Sequence, residues 1–330
     1  MSKADIVAAI LWIGVTLYAV FGGADFGAGM WDLVAGKGER AERARAQIDH
    51  SIAPVWEANH VWLIFVLVVL WTAFPPTFSA IMTTLYIPLA LAALGIVLRG
   101  SGFAFRHALP GPVRAPATRV FGVSSLLTPF FLGVVVGAIA AGEVPAGGNG
   151  DPTSSWIGFL PLVTGVLFVA VCAYLAAVFL VRDAAASGDE DLKRYFARRA
   201  LAMAVIAGAA ALAGIFALRE DARFVYDGLT DPGIPLVVLS AVCGLGALVL
   251  LARGATRGIR PLAVGAAVAV IWGFFVALHP FMLPESLTIA DAAGASATQT
   301  EVIVVFLVAG VLCLPSLGLL YVLSQRRALE

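Results

Sequence analysis

Two carboxylates sit where an apolar chain has least reason to keep them. Glu57, in SIAPVWEANHVWL (51–63), lies inside what otherwise reads as a membrane-spanning helix, and Asp25, in FGGADFGAGMWD (21–32), lies inside the apolar segment before it. An ionisable group at that depth costs roughly 2.5–3.5 kcal/mol on insertion scales, and it is kept where it meets a partner or a water path. Asp25 precedes the loop glycine Gly36 by 11 residues and Glu57 follows His50 by seven. At about 1.5 Å per residue both acids then lie some 10–16 Å from the same end of adjacent antiparallel helices. A carboxyl group so placed can take up a proton and pass it on. The competing reading is structural, each acid serving as a hydrogen-bond partner for a neighbouring helix or an arginine.

Other side chains gather around these two. His60 follows Glu57 by three residues and suits a proton relay or a hydrogen-bond partner one turn away. Trp56 stands directly beside the acid; its alternative is the interfacial anchoring common to membrane tryptophans. Arg99, in RGSGFAFRH (99–107), is either a charge anchored at the membrane surface, as is Arg106, or the partner of a carboxylate or haem propionate. Gly23 and Gly27 form a GxxxG pair, and Gly133 and Gly137 another, a spacing that lets helices approach closely in lipid.

Some chemistries are not supported. Of the four histidines, His50 and His107 fall in loops, His279 closes a span, and only His60 is deep, so no pair of axial haem ligands faces each other across the spans. Cys172, Cys243 and Cys313 are solitary, which supports neither a zinc site nor a covalently attached haem. No metal site, no catalytic residue in the chain itself and no nucleic-acid partner are expected. GGADFGAG neither follows a strand nor fits a dinucleotide fingerprint.

The elements that must position these residues are membrane helices. The 330-residue chain is 61% hydrophobic and 13% charged, with a mean hydropathy of +0.95, against about 45–50% and 25% for soluble domains. The fold expected is all-α and polytopic, with residues 1–330 as a single integral membrane domain. Nine stretches reach the ~20 residues a span needs: Ile6–Val34, Ile52–Phe74, Phe78–Leu98, Val120–Ala141, Ile157–Val181, Ala200–Leu218, Ile234–Leu251, Pro261–Pro280 and Val302–Leu323. Two four-helix bundles plus one peripheral helix accommodate them. The Pro75–Pro76 pair marks a tight turn between the second and third spans. The first run lacks a basic n-region and continues into a second span, as a retained helix does. Eighteen of the 21 Lys and Arg residues fall in the loops after spans one, three, five and seven or at the C-terminus. By the positive-inside rule the N-terminus is outside and the C-terminus cytoplasmic.

FGGADFGAGMWDL, SIAPVWEANHVWLI, FPPTFSAI, LRGSGFAFR and HPFMLPESLTI occur in this order along the chain. Together they resemble subunit II of the cytochrome bd-type quinol oxidases, including the cyanide-insensitive relatives. The resemblance spans essentially the whole chain. It implies a terminal oxidase of the bacterial cytoplasmic membrane that oxidises quinol and reduces O2 to water in aerobic respiration. In that family the haem-bearing subunit I carries haem b and haem d with their axial ligands and the quinol-oxidising loop. Subunit II, similar in fold, pairs with it as a pseudo-symmetric heterodimer. Trp56 and Glu57 match motif positions linked to a cytoplasmic proton path, and Asp25 matches the acid of the first-helix motif. The family commonly has Asp where this chain has Glu57, one methylene longer. The resemblance also brings a structural quinone, membrane lipid and small single-helix accessory subunits into the expected surroundings. The alternatives are a purely architectural subunit and a secondary transporter.

Overall fold

The computed structural model describes residues 2–52, 56–108 and 114–325, with backbone alone at 52, 56–58, 107, 114, 314 and 317–325. Ser2 starts the chain's first helix with a reciprocal cap. Its Oγ accepts from the Asp5 N–H at 3.1 Å and its own N–H donates to Asp5 Oδ2 at 2.7 Å, satisfying backbone groups that a helix start leaves open. That helix, α1 (Lys3–Leu17), widens into a π-turn at Tyr18–Gly22 and resumes as α2 (Gly23–Leu33). The amphipathic α3 (Glu39–Ile52) comes after it, burying Ala41, Ala44 and Ile48 along one stripe.

α4 (Trp56–Ala73) and α5 (Pro75–Thr84) meet at a bend of 116°. Two prolines open α5, where their missing N–H groups cost nothing. The long helices α6 (Tyr86–Ala108), α7 (Arg114–Ala140), α8 (Phe159–Ala186) and α9 (Glu190–Asp221) come next, then α10 (Arg223–Thr230), α11 (Ile234–Ala252) and α12 (Ile259–Leu278). A short antiparallel hairpin, β1 (Phe281–Leu283) and β2 (Leu287–Thr288), leads through α13 (Ile289–Ala292) to α14 (Ser296–Gln325).

Among the described residues eight helices are long and apolar enough to cross a membrane, and the bent α4–α5 pair makes a ninth. Among the described residues the fold is all-α apart from the hairpin. One boundary needs correction. The third span, expected at Phe78–Leu98, begins at Tyr86 and runs through Arg106. Residues 75–84 instead form the separate α5, turned away from α4. Hydropathy cannot distinguish an apolar helix that turns across from one that continues through. Arg99 and Arg106 therefore lie inside α6, not beyond its end.

The largest core cluster joins α2, α3, α7, α8, α9, α11 and α12 around Phe26, Trp31, Phe121, Leu175 and Phe196. The glycine pairs act as their spacing suggests. A Cβ on Gly27 would sit 2.0 Å from the Cys172 carbonyl oxygen, and one on Gly137 would sit 2.5 Å from the Pro161 Cα. Only a bare backbone lets α2 lie this close to α8, and α7 this close to α8.

Candidate functional site

The π-turn and the glycines of α2 carry Asp25 into the protein. π-turns recur at functional sites because the extra residue re-aims the side chains beyond it. Asn59 of α4, itself buried, donates through Nδ2 to the Phe21 carbonyl of the π-turn at 3.4 Å. Gly29 lies against Ser125 of α7, where a Cβ would meet Oγ at 2.2 Å.

Asp25 arrives 4% exposed and facing α6. Its Oδ1 accepts from Arg99 Nη2 at 2.7 Å, and both side chains are 1% exposed. The same Nη2 donates to the Asp25 main-chain carbonyl at 3.2 Å, and Arg99 Nε donates to Ser125 Oγ at 3.0 Å. The rings of Phe26 and Phe121 flank the guanidinium at 4.9 and 4.8 Å, a setting that favours a cation. Among the described residues Asp25 Oδ2 has no hydrogen-bond partner.

A second pair repeats the first one level along. Arg106 Nη1 donates to Asp32 Oδ2 at 2.7 Å, Arg45 Nε lies 3.1 Å from Asp32 Oδ1, and Arg106 also pairs with Asp49. The acids are seven residues apart on α2 and the arginines seven apart on α6. α2 and α6 are the first and third spans and run in the same direction. Equal steps of about two turns therefore keep both pairs in register. Neither arginine is a surface anchor.

His60 is half-buried, its ring 6.4 Å from that of Tyr18 and 6.1 Å from that of Phe26, so it faces the π-turn and α2. Trp56 and Glu57 form the first turn of α4, and their side chains lie outside the described residues. Arg99, read as either a surface anchor or the partner of a carboxylate or haem propionate, meets the carboxylate of this chain's own Asp25.

A cavity of 260 Å³ is lined by Asp25 and by residues at the helix ends nearest the basic loops. Its polar lining is Asp25, Asn59, Ser51, Asp183 and Arg260. Ser51, at the end of α3, donates to Asp183 Oδ2 at 3.1 Å. Asp183, near the end of α8, also pairs with Arg260 at the start of α12, and Arg260 Nη2 donates to the Phe179 carbonyl at 2.6 Å. The volume has room for several waters at about 30 Å³ each. Asp32, Asn59, Asp183 and Arg260 were not reached from sequence. The matched seven-residue steps of Asp25/Asp32 and Arg99/Arg106 were the legible signal for one of the two pairs.

The model of the family described as cytochrome bd terminal oxidase subunit II matches residues 3–324. The chain belongs to this family. It is 28% identical to cytochrome bd ubiquinol oxidase subunit 2 of Bacillus subtilis, over 86% of this chain and 81% of the relative. It is 30% identical to cytochrome bd-I ubiquinol oxidase subunit 2 of Escherichia coli over 40% of this chain and 35% of that one. Its fold superposes on a chain of the bd oxidase from Geobacillus thermodenitrificans with a TM-score of 0.83, at 26% identity, covering 97% and 98% of the two chains. This bd oxidase subunit II is thus a multi-pass membrane protein of a respiratory quinol oxidase, a family whose complexes contain haem. Among the described residues, His60 lies against Tyr18 and Phe26, and no group of three or more His, Cys, Asp or Glu side chains is placed to hold a metal ion.

Proposed function

We propose that this subunit brings protons from the cytoplasm to the oxygen chemistry of a haem-bearing subunit I, and braces that subunit in the membrane. Dioxygen becomes water only as protons arrive with the electrons, and the quinol supplies those electrons elsewhere in the complex. The observation that carries the reading is the cavity that Asp25 lines, a buried carboxylate with one oxygen on Arg99 and the other, among the described residues, without a hydrogen-bond partner. Ser51, Asp183 and Arg260 form its mouth, on the face where the basic loops put the cytoplasm. Glu57, His60 and Trp56 complete the path from the start of α4. The haems are b- and d-type, ligated by subunit I, and a quinone held by this subunit is structural.

The architectural alternative has an observation of its own, the enclosed Asp25–Arg99 pair. Glu57→Gln separates the two in the purified two-subunit complex. The proton-path reading expects quinol-driven O2 consumption to fall about tenfold or more with haem content unchanged. Normal turnover and normal proton uptake in the fully haem-loaded variant would remove Glu57 from the path.

A further inference from the structure

A second cavity, of 450 Å³, lies between the start of α3 and the first turns of α9. Arg40, Arg194, Arg198, Arg199, Tyr195 and Asp191 line it. Among the described residues none of the four arginines makes an ion pair, and the one acid, Asp191, is taken by Arg43 at 3.0 Å. Four cations and one neutralised carboxylate thus share one concavity. Tyr195 forms its floor, with the Arg199 guanidinium 3.5 Å and the Arg40 guanidinium 5.2 Å from its ring centre. The buried Tyr195 hydroxyl lies beside the Arg199 guanidinium. Guanidinium groups outside any ion pair, which bind phosphate oxygens well, call for an anion.

The surface beyond the arginines distinguishes one anion from another. Arg194 and Arg198 stand on the exposed stripe of α9 that continues, at steps of three and four residues, through Ala202, Val205, Ala209, Leu212 and Phe216. Val205, Leu212 and Phe216 are 63%, 62% and 67% exposed. Charge at the rim and an unbroken apolar track beneath it match a phosphate with acyl chains attached; a free phosphate would use only the rim. We infer that this cavity seats the phosphate headgroup of an anionic membrane lipid whose chains run down the Val205–Leu212 face of α9. Basic pockets at the membrane surface recognise such headgroups by charge.

The test uses the intact two-subunit complex, delipidated and then supplied with phosphatidylglycerol, phosphatidylcholine or inorganic phosphate. Phosphatidylglycerol is expected to remain bound in native mass spectra and to raise the thermal midpoint; the other two, at equal concentration, are not. The exposed double variant Arg194→Gln/Arg198→Gln should bind phosphatidylglycerol about 10- to 30-fold more weakly. Arg40→Gln, on a different helix, should weaken it in part, which guards against a folding defect in the double variant. Equal retention by variants and wild type overturns the inference. So does equal protection by inorganic phosphate, which would make this a site for free anions, or a resolved complex in which a protein chain covers the α9 face.

Discussion

Removing the Asp25–Arg99 pair one partner at a time, then both together, separates scaffolding from proton transfer. At 2.7 Å the gross attraction of the pair is about 6 kcal/mol at an effective dielectric of ~20, offset by several kcal/mol of desolvation for each ion. Both side chains are 1% exposed, so a charge left alone is poorly screened. Asp25→Asn leaves Arg99 with Ser125 Oγ and a main-chain carbonyl, and Arg99→Gln leaves a buried carboxylate unpaired. Each single variant is expected to lose about 3–5 kcal/mol. The double variant Asp25→Asn/Arg99→Gln, with two neutral amides in place of the ions, should lose only about 1–3 kcal/mol, less than either single variant, so the two single losses are strongly non-additive. Thermal unfolding of the purified complex and its haem content report on stability, and quinol-driven O2 consumption reports on turnover. If Asp25 relays protons, the double variant is stable, haem-loaded and still slow by about tenfold or more. A double variant that regained turnover with its stability would make Asp25 purely architectural. One that stayed as unstable as the singles would refute the energetic reasoning about the pair.

Three further outcomes rest on the geometry. Gly27→Leu must part α2 from α8, because even a Cβ would lie 2.0 Å from the Cys172 carbonyl oxygen; a loss of about 1–3 kcal/mol or more should appear as a lower thermal midpoint, while Gly208→Ala, in open space, should leave it unchanged. Asp32→Asn should cost less than Asp25→Asn, about 1–3 kcal/mol, because Arg106 keeps Asp49 as a carboxylate partner; equal losses would contradict this. Asp189 caps α9, and the N–H of Leu192, then Arg43, then the N–H of Asp191 hold its carboxyl below the ordinary 3.8. A lowered folded value stabilises above the unfolded pKa and is lost as pH falls through the folded one. The gap in thermal midpoint between wild type and Asp189→Ala, worth about 1 kcal/mol, should therefore be full at neutral pH and close as the pH drops below 3.8.

The sequence by itself determined that this is a multi-span helical membrane protein, because lipid demands long apolar helices and that demand is written in composition. It also singled out Asp25, Glu57, His60 and Arg99, since a charge or a histidine in such a run stands out whatever the fold. The glycine pairs announced close helix contacts, though not that α8 is the neighbour of both α2 and α7. Only tertiary structure decided that Arg99 and Arg106 are buried partners of Asp25 and Asp32. The residues of each pair are 74 apart in sequence, and hydropathy reads an arginine near a helix end as a surface anchor. It likewise decided that Phe78–Thr84 turns away from the third span, a matter of helix direction that apolar content does not encode. Ser51, Asp183 and Arg260 look like ordinary polar residues at three separate helix ends. They become the mouth of one cavity because the ends of α3 and α8 and the start of α12 converge, and convergence of distant segments is set by packing rather than by any local run of residues.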